Sequence, residues 1–263
     1  MAKVSGKAGH VYGGALLIED CEDTWNEQVV AGVTLSTQTG KVGTNCARAA
    51  TVTVGIAILM SEVIVKNLAA YDGVYLWARS SLTTAAGDLQ ILLDDTVNCA
   101  SPLETLSLPV LTAATWKQCF VRLATPASDT ALISIGLKSA VDLADGNFDV
   151  DDVEALAELD GLKSWTIDYT ADVLETTDFA DAGVKAYIIG GSGWSGSFEG
   201  FKDGAPLGIG SEVYLVLGES STASQNWIGK VIVTGAHPNV AMDGIVTYGY
   251  DFQGTGALEM PGA

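Results

Sequence analysis

Residues 162–201 read LKSWTIDYTADVLETTDFADAGVKAYIIGGSGWSGSFEGF, and two strand patterns in this stretch indicate the fold. Between residues 166 and 173, Thr, Asp, Thr and Asp alternate with Ile, Tyr, Ala and Val. Successive side chains of a strand point to opposite faces, so this alternation predicts a half-buried strand whose polar face is outward. Residues 193–201 are a run of small and aromatic residues that predicts a second strand.

Strand signals recur along the whole chain, as short runs rich in Val, Ile and Thr that are separated by turn residues. We predict strands at residues 52–60, 74–79, 88–93, 118–123, 132–137, 164–173, 193–201, 212–217, 228–234 and 245–252. This spacing is typical of β-sandwiches. Helix signals are sparse: residues 178–182 could form one short turn after capping residues, and residues 60–68 or 220–225 could form another. The predicted fold class is therefore mainly β with a short helix.

Composition narrows the possible functions. The 263 residues include 32 acidic and 13 basic side chains, for a net charge of −19. That balance argues against a surface that grips DNA, because such a surface needs clustered Lys and Arg. The longest apolar run, residues 52–60, is strand length and too short to cross a bilayer. No apolar stretch follows Lys3, so we expect no secretory signal, no membrane partner and synthesis in the cytoplasm.

Motifs of common enzymes are not found in the sequence. None of the four cysteines belongs to a CxxC pair, and the two histidines, His10 and His237, lack a nearby ligand motif, so no zinc site is expected. Neither GxSxG nor a histidine-containing triad motif occurs. We therefore expect a protein that is not an enzyme and that requires no cofactor.

The two ends of the chain share features that the middle lacks. Residues 1–14 read MAKVSGKAGHVYGG, a short strand pattern that we expect to stop at a Gly-Gly turn. In the last third, a Thr-Thr-Asp-Phe step at residues 176–179 precedes Gly-Ser-Phe-Glu-Gly at residues 196–200. With these motifs, residues 1–15 and 157–263 together resemble the tail tube (major tail) proteins of long-tailed phages.

This resemblance implies a discontinuous tail tube domain and a structural role in the virion. Subunits of that family join into six-membered rings, which stack into the tube through which DNA is ejected. The implied partners are other copies of the chain and other tail proteins, while DNA passes through the lumen without specific binding. The implied location is the virion tail, after synthesis in the host cytoplasm.

The middle segment, residues 16–156, resembles galactose-binding-like jelly-roll modules that serve as carbohydrate-binding domains. It opens with LLIEDCEDTW and closes with DGNFDVDDVEAL, which resemble the first and last strands of such modules. Those strands lie close together in the family, so an inserted module of this kind can enter a host loop without separating its ends. A module of about 140 residues would project outward from the tube.

The resemblance also implies a structural calcium ion between the first and last strands of the module. The matching residues are Glu19, Asp20, Glu22, Asp149, Asp151 and Asp152. Calcium takes six to eight oxygen ligands, several of them carboxylates. The alternative is that these carboxylates lie in solvent, and Asp142 and Asp145 could serve in a turn instead.

Sugar binding by the module would need exposed aromatic side chains. The candidates are Trp25, Tyr71, Tyr75, Trp77 and Trp116. The positions of Trp77 and Trp116 favour the core as an alternative. The second candidate function is accordingly a virion decoration or adhesion protein that binds surface carbohydrate.

Three segments are candidates for contacts between subunits. They are the apolar, glycine-rich residues 204–210, the polar residues 220–225, and the C-terminal residues 253–263, for which we expect order only on a neighbouring subunit. The alternative for each is a surface loop. A lumen that passes DNA should be weakly negative, and the candidate acidic residues are Asp168, Asp172, Asp178, Asp181, Glu199 and Asp203.

Overall fold

A computed structural model places the chain in two compact units. The first comprises Met1–Glu158, Val216–Ile228 and Glu259–Ala263, and the second comprises Leu159–Leu215 and Gly229–Leu258. The structure describes residues 9–25, 30–52, 55–143, 145–177, 184–201, 207–220, 222–242 and 244–262. The predicted domains, 1–15 with 157–263 and 16–156, share the boundary near residue 157 with these units, and that assignment stays a prediction.

Strands dominate the described residues. They are β1 His10–Glu19, β2 Val33–Thr39, β3 Asn45–Thr51, β4 Ala57–Lys66, β5 Gly73–Ser80, β6 Leu89–Asp94, β7 Glu104–Ser107, β8 Lys117–Arg122, β9 Leu132–Ser139, β10 Gly146–Glu158, β11 Leu162–Glu175, β12 Tyr187–Phe201, β13 Glu212–Gly218, β14 Asn226–Asn239 and β15 Thr247–Gly254. Short 3-10 helices occur at Val97–Cys99, Pro126–Ser128 and Ala223–Gln225. The predicted mainly β fold is confirmed.

β10 organises the first unit. Strand β5 pairs along one of its edges, while β3 and then β1 pair along the other, and all of these pairings are antiparallel. Strand β8 extends this sheet beside β5, and β2 extends it beside β3. A second antiparallel sheet has the order β4-β9-β6-β7. One hydrophobic cluster includes residues of both sheets, among them Leu76, Phe148, Leu59 and Ile91, so the two sheets share a core.

The second unit contains the antiparallel order β11-β12-β15-β14. Its core is aromatic: the ring of Phe198 lies 5.1 Å from Tyr250 and 6.1 Å from Phe252, and Trp194 meets Phe252 edge-on. The Trp194 indole donates a hydrogen bond to the carbonyl of Gly256 at 2.9 Å. A Cβ at Gly254 would overlap the Trp194 ring, so this close packing requires glycine there.

Most predicted strands are confirmed within a few residues, but three expectations are wrong. Residues 52–60 are not one strand, because β3 ends at Thr51 in the first sheet and β4 begins at Ala57 in the second. Residues 60–68 are not a helix, since most of them belong to β4. No turn occurs at Gly13-Gly14; β1 continues through a register shift there, with Gly14 at φ 74°. The short turn predicted at 178–182 lies outside the described residues, whereas a 3-10 helix does occur within 220–225.

Candidate assembly surface and acidic cluster

The β11–β12 hairpin is longer than the sheet to which it belongs. The two strands pair from Leu162↔Gly200 to Glu175↔Tyr187. Strand β12, however, pairs with β15 only from Ser195 to Phe201. Beyond Ser195 the hairpin therefore has no third strand beside it among the described residues. We call residues 170–175 and 187–193 the distal ribbon; at about 3.3 Å per residue, its longer strand extends roughly 20 Å.

Both faces of the distal ribbon are exposed, although it carries large apolar side chains. Val173 is 64% exposed and its cross-strand partner Ile189 is 80% exposed. The other exposed apolar residues of the ribbon are Leu174, Tyr187 and Ile188. Two-stranded hairpins are marginally stable in water, and exposed apolar patches commonly mark contact surfaces. The ribbon thus has the properties of an assembly element.

A bulge divides the ribbon. Ala171 pairs with Ser192 while Val173 pairs with Ile189, so Asp172 alone faces Gly190 and Gly191. A Cβ at Gly190 would approach the side chains of Asp172 and Leu174 to about 3.2–3.3 Å, which leaves little space for a larger residue. Bulges increase the local twist of a strand pair and redirect its side chains. The bulge at Asp172 therefore separates the apolar end of the ribbon from the polar part that precedes it.

The part of the hairpin nearer the sheet has one buried and one polar face. Trp194 and Phe198 are buried on one face. On the other, Thr166 and Ser197 share a hydrogen bond at 3.1 Å, and Asp168 pairs with Ser195. Thr166 and Asp168 lie on an exposed polar face as predicted, but the half-buried strand predicted for residues 166–173 is wrong beyond Ile167, because Tyr169, Ala171 and Val173 on the opposite face are exposed as well. Of the six predicted lumen residues, Asp168, Asp172 and Glu199 are exposed, and Asp178, Asp181 and Asp203 lie outside the described residues.

Asp149, one of the predicted calcium ligands, lies between two arginines. It is 2% exposed, and its carboxylate accepts from Arg48 Nε at 2.6 Å and from Arg79 Nε at 2.7 Å. The antiparallel registers explain this arrangement, because Arg48 of β3 and Arg79 of β5 both pair with Asp149 of β10. The negative charge of Asp149 is therefore balanced within the protein, which does not fit a calcium ligand.

Asp151 and Glu22 hold the loop that precedes β3. Asp151 Oδ2 accepts from the backbone N–H groups of Lys41 and Val42 at 2.6 and 2.9 Å. Glu22 accepts from the backbone N–H groups of Thr44 and Asn45 at 2.7 and 3.0 Å. Each carboxylate thus satisfies two backbone donors of the same loop. Through this loop, the segment that follows β1 is connected to β10.

Burial raises the pKa of two carboxyl groups in this cluster. It raises the pKa of Asp151 to about 6, with the charges of Asp152 and Glu22 adding to the effect and the two backbone hydrogen bonds opposing it. Burial also raises the pKa of Glu19. Asp151 Oδ1 is buried without a hydrogen-bond partner among the described residues. Asp152 adopts a left-handed conformation with φ 50°, at a register shift between β10 and β5.

Within the described ranges, no group of three or more His, Cys, Asp or Glu residues is arranged to hold a metal ion. The orphaned oxygen of Asp151 is compatible with a cation, whereas the paired Asp149 is not. The calcium site predicted at Glu19, Asp20, Glu22, Asp149, Asp151 and Asp152 stays a prediction, and the ion pairs of Asp149 are the observation against that residue as a ligand. Asp142, the alternative turn residue, is exposed.

The aromatic candidates for sugar binding are mostly buried or covered. Trp25 and Tyr75 are fully buried, and Tyr71 packs against the core. Trp77 and Trp116 are only half-buried and lie outside the core, which differs from the alternative weighed for them. Cations cover both indoles: Lys41 Nζ lies 5.0 Å from the Trp77 ring centroid, and the Arg79 guanidinium lies 4.5 Å from that of Trp116.

A cavity of about 620 Å³ lies within the first unit. Tyr12 and Phe120, whose rings are 4.6 Å apart, line it together with Arg122, and Lys117 and Glu259 form an ion pair at its wall. The guanidinium of Arg122 lies 5.2 Å from the centre of the Tyr12 ring. Sequence reasoning missed this cavity because its lining comes from distant parts of the chain.

The segments predicted to contact neighbouring subunits have different environments. Residues 204–206 lie outside the described residues, and Ile209 is exposed. The expectation that residues 253–263 become ordered only on a neighbouring subunit is wrong, because they contact other parts of the same chain. Glu259 forms a β-bridge with Ile228 and an ion pair with Lys117 at 3.2 Å. The backbone N–H of Gly262 donates to the carbonyl of Ser224. No helix among the described residues is long and apolar enough to cross a membrane.

Comparisons with known proteins find similarity among solved structures only. No protein family matches the chain, and no curated protein matches it. The similar solved structures include the tail of an empty GTA particle with C6 symmetry, with a TM-score of 0.35 and 16% sequence identity. The similarity covers 40% of this chain and 85% of that chain.

Proposed function

We propose that this chain is a structural subunit of a phage-type tail tube, in which copies join through the distal ribbon into six-membered, stacked rings. The exposed apolar ribbon is the observation that carries the proposal. Val173, Leu174, Ile188 and Ile189 would leave water when a neighbouring subunit covers the hairpin. A stable interface needs roughly 1,000 Å² or more of buried surface, to which a two-sided ribbon can contribute from both faces.

The polar face of the hairpin suits a lumen through which DNA passes. Asp168 and Glu199 are exposed on strands whose neighbouring side chains are small and hydroxylated. Acidic groups repel phosphates over about 10 Å at ordinary ionic strength, which prevents adhesion without forming a specific site. The net charge of −19 is consistent with a conduit for DNA.

In this proposal the chain acts in the virion tail by assembly and is not an enzyme. Its partners are other copies of itself and other tail proteins, and DNA is cargo. The inserted jelly-roll module would project outward, where it could stabilise neighbouring rings or contact a cell surface. No catalytic step is required of the carboxylate pairs.

Electron microscopy and sedimentation velocity test the proposal. The wild-type protein should form rings or tubes as its concentration rises. The double variant Val173→Thr/Ile189→Thr keeps β-branched residues but removes apolar surface, so it should remain folded and stay monomeric. Val65→Thr makes the same change at an 85% exposed position of β4 and serves as the matched control. Wild-type protein that stays monomeric at every concentration, or equal effects of both variants, would contradict the proposal.

The second candidate function, carbohydrate binding in decoration or adhesion, is favoured by the cavity of about 620 Å³. Ligand sites are typically concave and combine apolar walls with a few polar groups, as Phe120, Gln118 and Asn226 do here. A glycan array probed with monomeric protein tests this function. Glycan binding that is weakened by Asn226→Ala would support it, and the absence of any bound glycan would count against it.

A further inference from the structure

Two buried carboxylates of the first unit belong to one turn, through which Glu104 of β7 is connected to Asp129. Glu104 is the first residue of β7 and is 1% exposed; Asp129 follows the 3-10 helix Pro126–Ser128 and is fully buried. Glu104 accepts hydrogen bonds from Thr125, the residue at which this 3-10 turn begins, and Asp129 is the residue at which the same turn ends. No Lys, Arg or His of the described residues forms an ion pair with either carboxylate.

Glu104 already has hydrogen-bond donors. Its carboxylate accepts from the backbone N–H groups of Ala124 and Thr125 at 2.9 and 2.5 Å, and from the Thr125 hydroxyl at 3.0 Å. All three contacts donate to Glu104, the pattern that a carboxylate anion accepts. Glu104 therefore fixes the start of the segment that leads into Asp129.

The side chain of Asp129 lacks such partners. Its backbone is satisfied, because its N–H donates to Pro126 and its carbonyl accepts from Leu68 at 2.7 Å. Neither side-chain oxygen accepts a hydrogen bond from any residue that the structure describes. A buried carboxylate without a partner is costly, and a second carboxylate nearby increases that cost. No cationic side chain among the described residues therefore balances the charge of Glu104 and Asp129.

We propose that Glu104 and Asp129 bind a hard divalent cation, with Ca²⁺ as the probe. The donors are oxygen atoms only, which is the ligand chemistry that calcium prefers. A bound cation would offset the repulsion between the carboxylates and would connect β7 to the segment between β8 and β9. Backbone carbonyls or water would complete the coordination. The proposal is independent of tube assembly and of the predicted calcium site at Asp151.

Calcium titration with matched variants tests the site. We would measure Ca²⁺ binding by calorimetry and thermal melting in excess Ca²⁺ and in chelator. Wild-type protein should bind Ca²⁺ and melt several degrees higher with it. Asp129→Asn, which keeps the shape and removes the charge, should abolish that shift, and Asp151→Asn should retain it. Glu104→Gln is the second variant, and it should weaken Ca²⁺ binding as well.

Two results would overturn the inference. One is wild-type protein that neither binds Ca²⁺ nor changes its melting temperature in excess Ca²⁺. The other is a calcium response that Asp151→Asn abolishes and Asp129→Asn retains, which would place the ion in the other cluster. The first result is measured on wild-type protein alone, so it tests the inference even if a variant fails to fold.

Discussion

Val173 and Ile189 lie directly opposite each other across the β11–β12 hairpin, and both are more than half exposed. Cross-strand pairs of β-branched residues stabilise a hairpin modestly, by about 0.2–1 kcal/mol, which is too little to hold a solitary ribbon. We therefore expect the backbone amides of Val173 and Ile189 to exchange rapidly with deuterium in the monomer. They should become protected when the protein assembles, because a neighbour then covers them.

The control for this prediction lies in the same unit. Val231 and Val233 of β14 are fully buried, so their amides should be protected in monomer and assembly alike. Mass spectrometry of peptides from the two regions measures the difference. Ribbon amides that are already protected in the monomer, or that stay unprotected in tubes, would show that the ribbon is not the contact.

A second prediction concerns Asp149 and its two arginines. Asp149→Asn should lower the free energy of unfolding by about 3 kcal/mol, since removing one member of a buried ion pair leaves the remaining charges uncompensated. Arg48 and Arg79 retain partial exposure, which limits the loss. Urea denaturation measures the change. Asp142→Asn, at an exposed aspartate, should change stability by less than about 0.5 kcal/mol. An equal effect of the two substitutions would contradict the structural role of Asp149.

Much of the strand content could be predicted from local pattern, because alternation and turn residues act over a few positions. The polar face at Thr166 and Asp168 is an example. The ribbon was missed because exposure there depends on where β15 stops pairing with β12, at Ser195, which is a tertiary property. The apolar run at residues 187–189 was the available signal, and two of its residues, Ile188 and Ile189, pair with Leu174 and Val173 of β11.

The contacts of the acidic residues also depend on tertiary structure, which local sequence patterns do not predict. The resemblance implied that carboxylates near residues 19–22 and 149–152 share a calcium ion, which stays a prediction; in the structure Glu22 and Asp151 each bind backbone N–H groups of one loop. The sequence could not assign Asp149 to the arginines, because that pairing depends on the register of three strands. The Glu104 and Asp129 pair was likewise invisible, since 25 residues separate them.

A third prediction tests the aromatic core of the second unit. Gly254→Ala would force a methyl group into the Trp194 ring, and overpacking of this kind costs about 1–3 kcal/mol. Tryptophan fluorescence during chemical denaturation should report a lower midpoint. Gly256→Ala is the matched control, because a Cβ there meets no atom within 4 Å, and it should leave the midpoint nearly unchanged. A Gly254→Ala midpoint equal to that of wild type would refute the close packing.

The last prediction follows from the raised pKa of Asp151, which burial moves from 3.8 to about 6. A carboxyl group whose pKa is raised by folding binds its proton more tightly in the folded state. Its contribution to stability is therefore complete below about pH 4 and is lost as the pH rises to about 6. In the presence of chelator, wild-type protein should lose stability relative to Asp151→Asn across this range, by on the order of 1 kcal/mol after allowance for screening.

Subtraction of the two stability profiles isolates Asp151 from the other carboxylates. Asp129, whose pKa burial also raises to about 6, contributes in the same direction but equally to both proteins. Urea unfolding of wild type and Asp151→Asn at several pH values between 4 and 8 supplies the data. The difference should change between pH 4 and 6 and then level off. A difference that is constant with pH would mean that the Asp151 carboxyl group has an ordinary pKa in the folded protein.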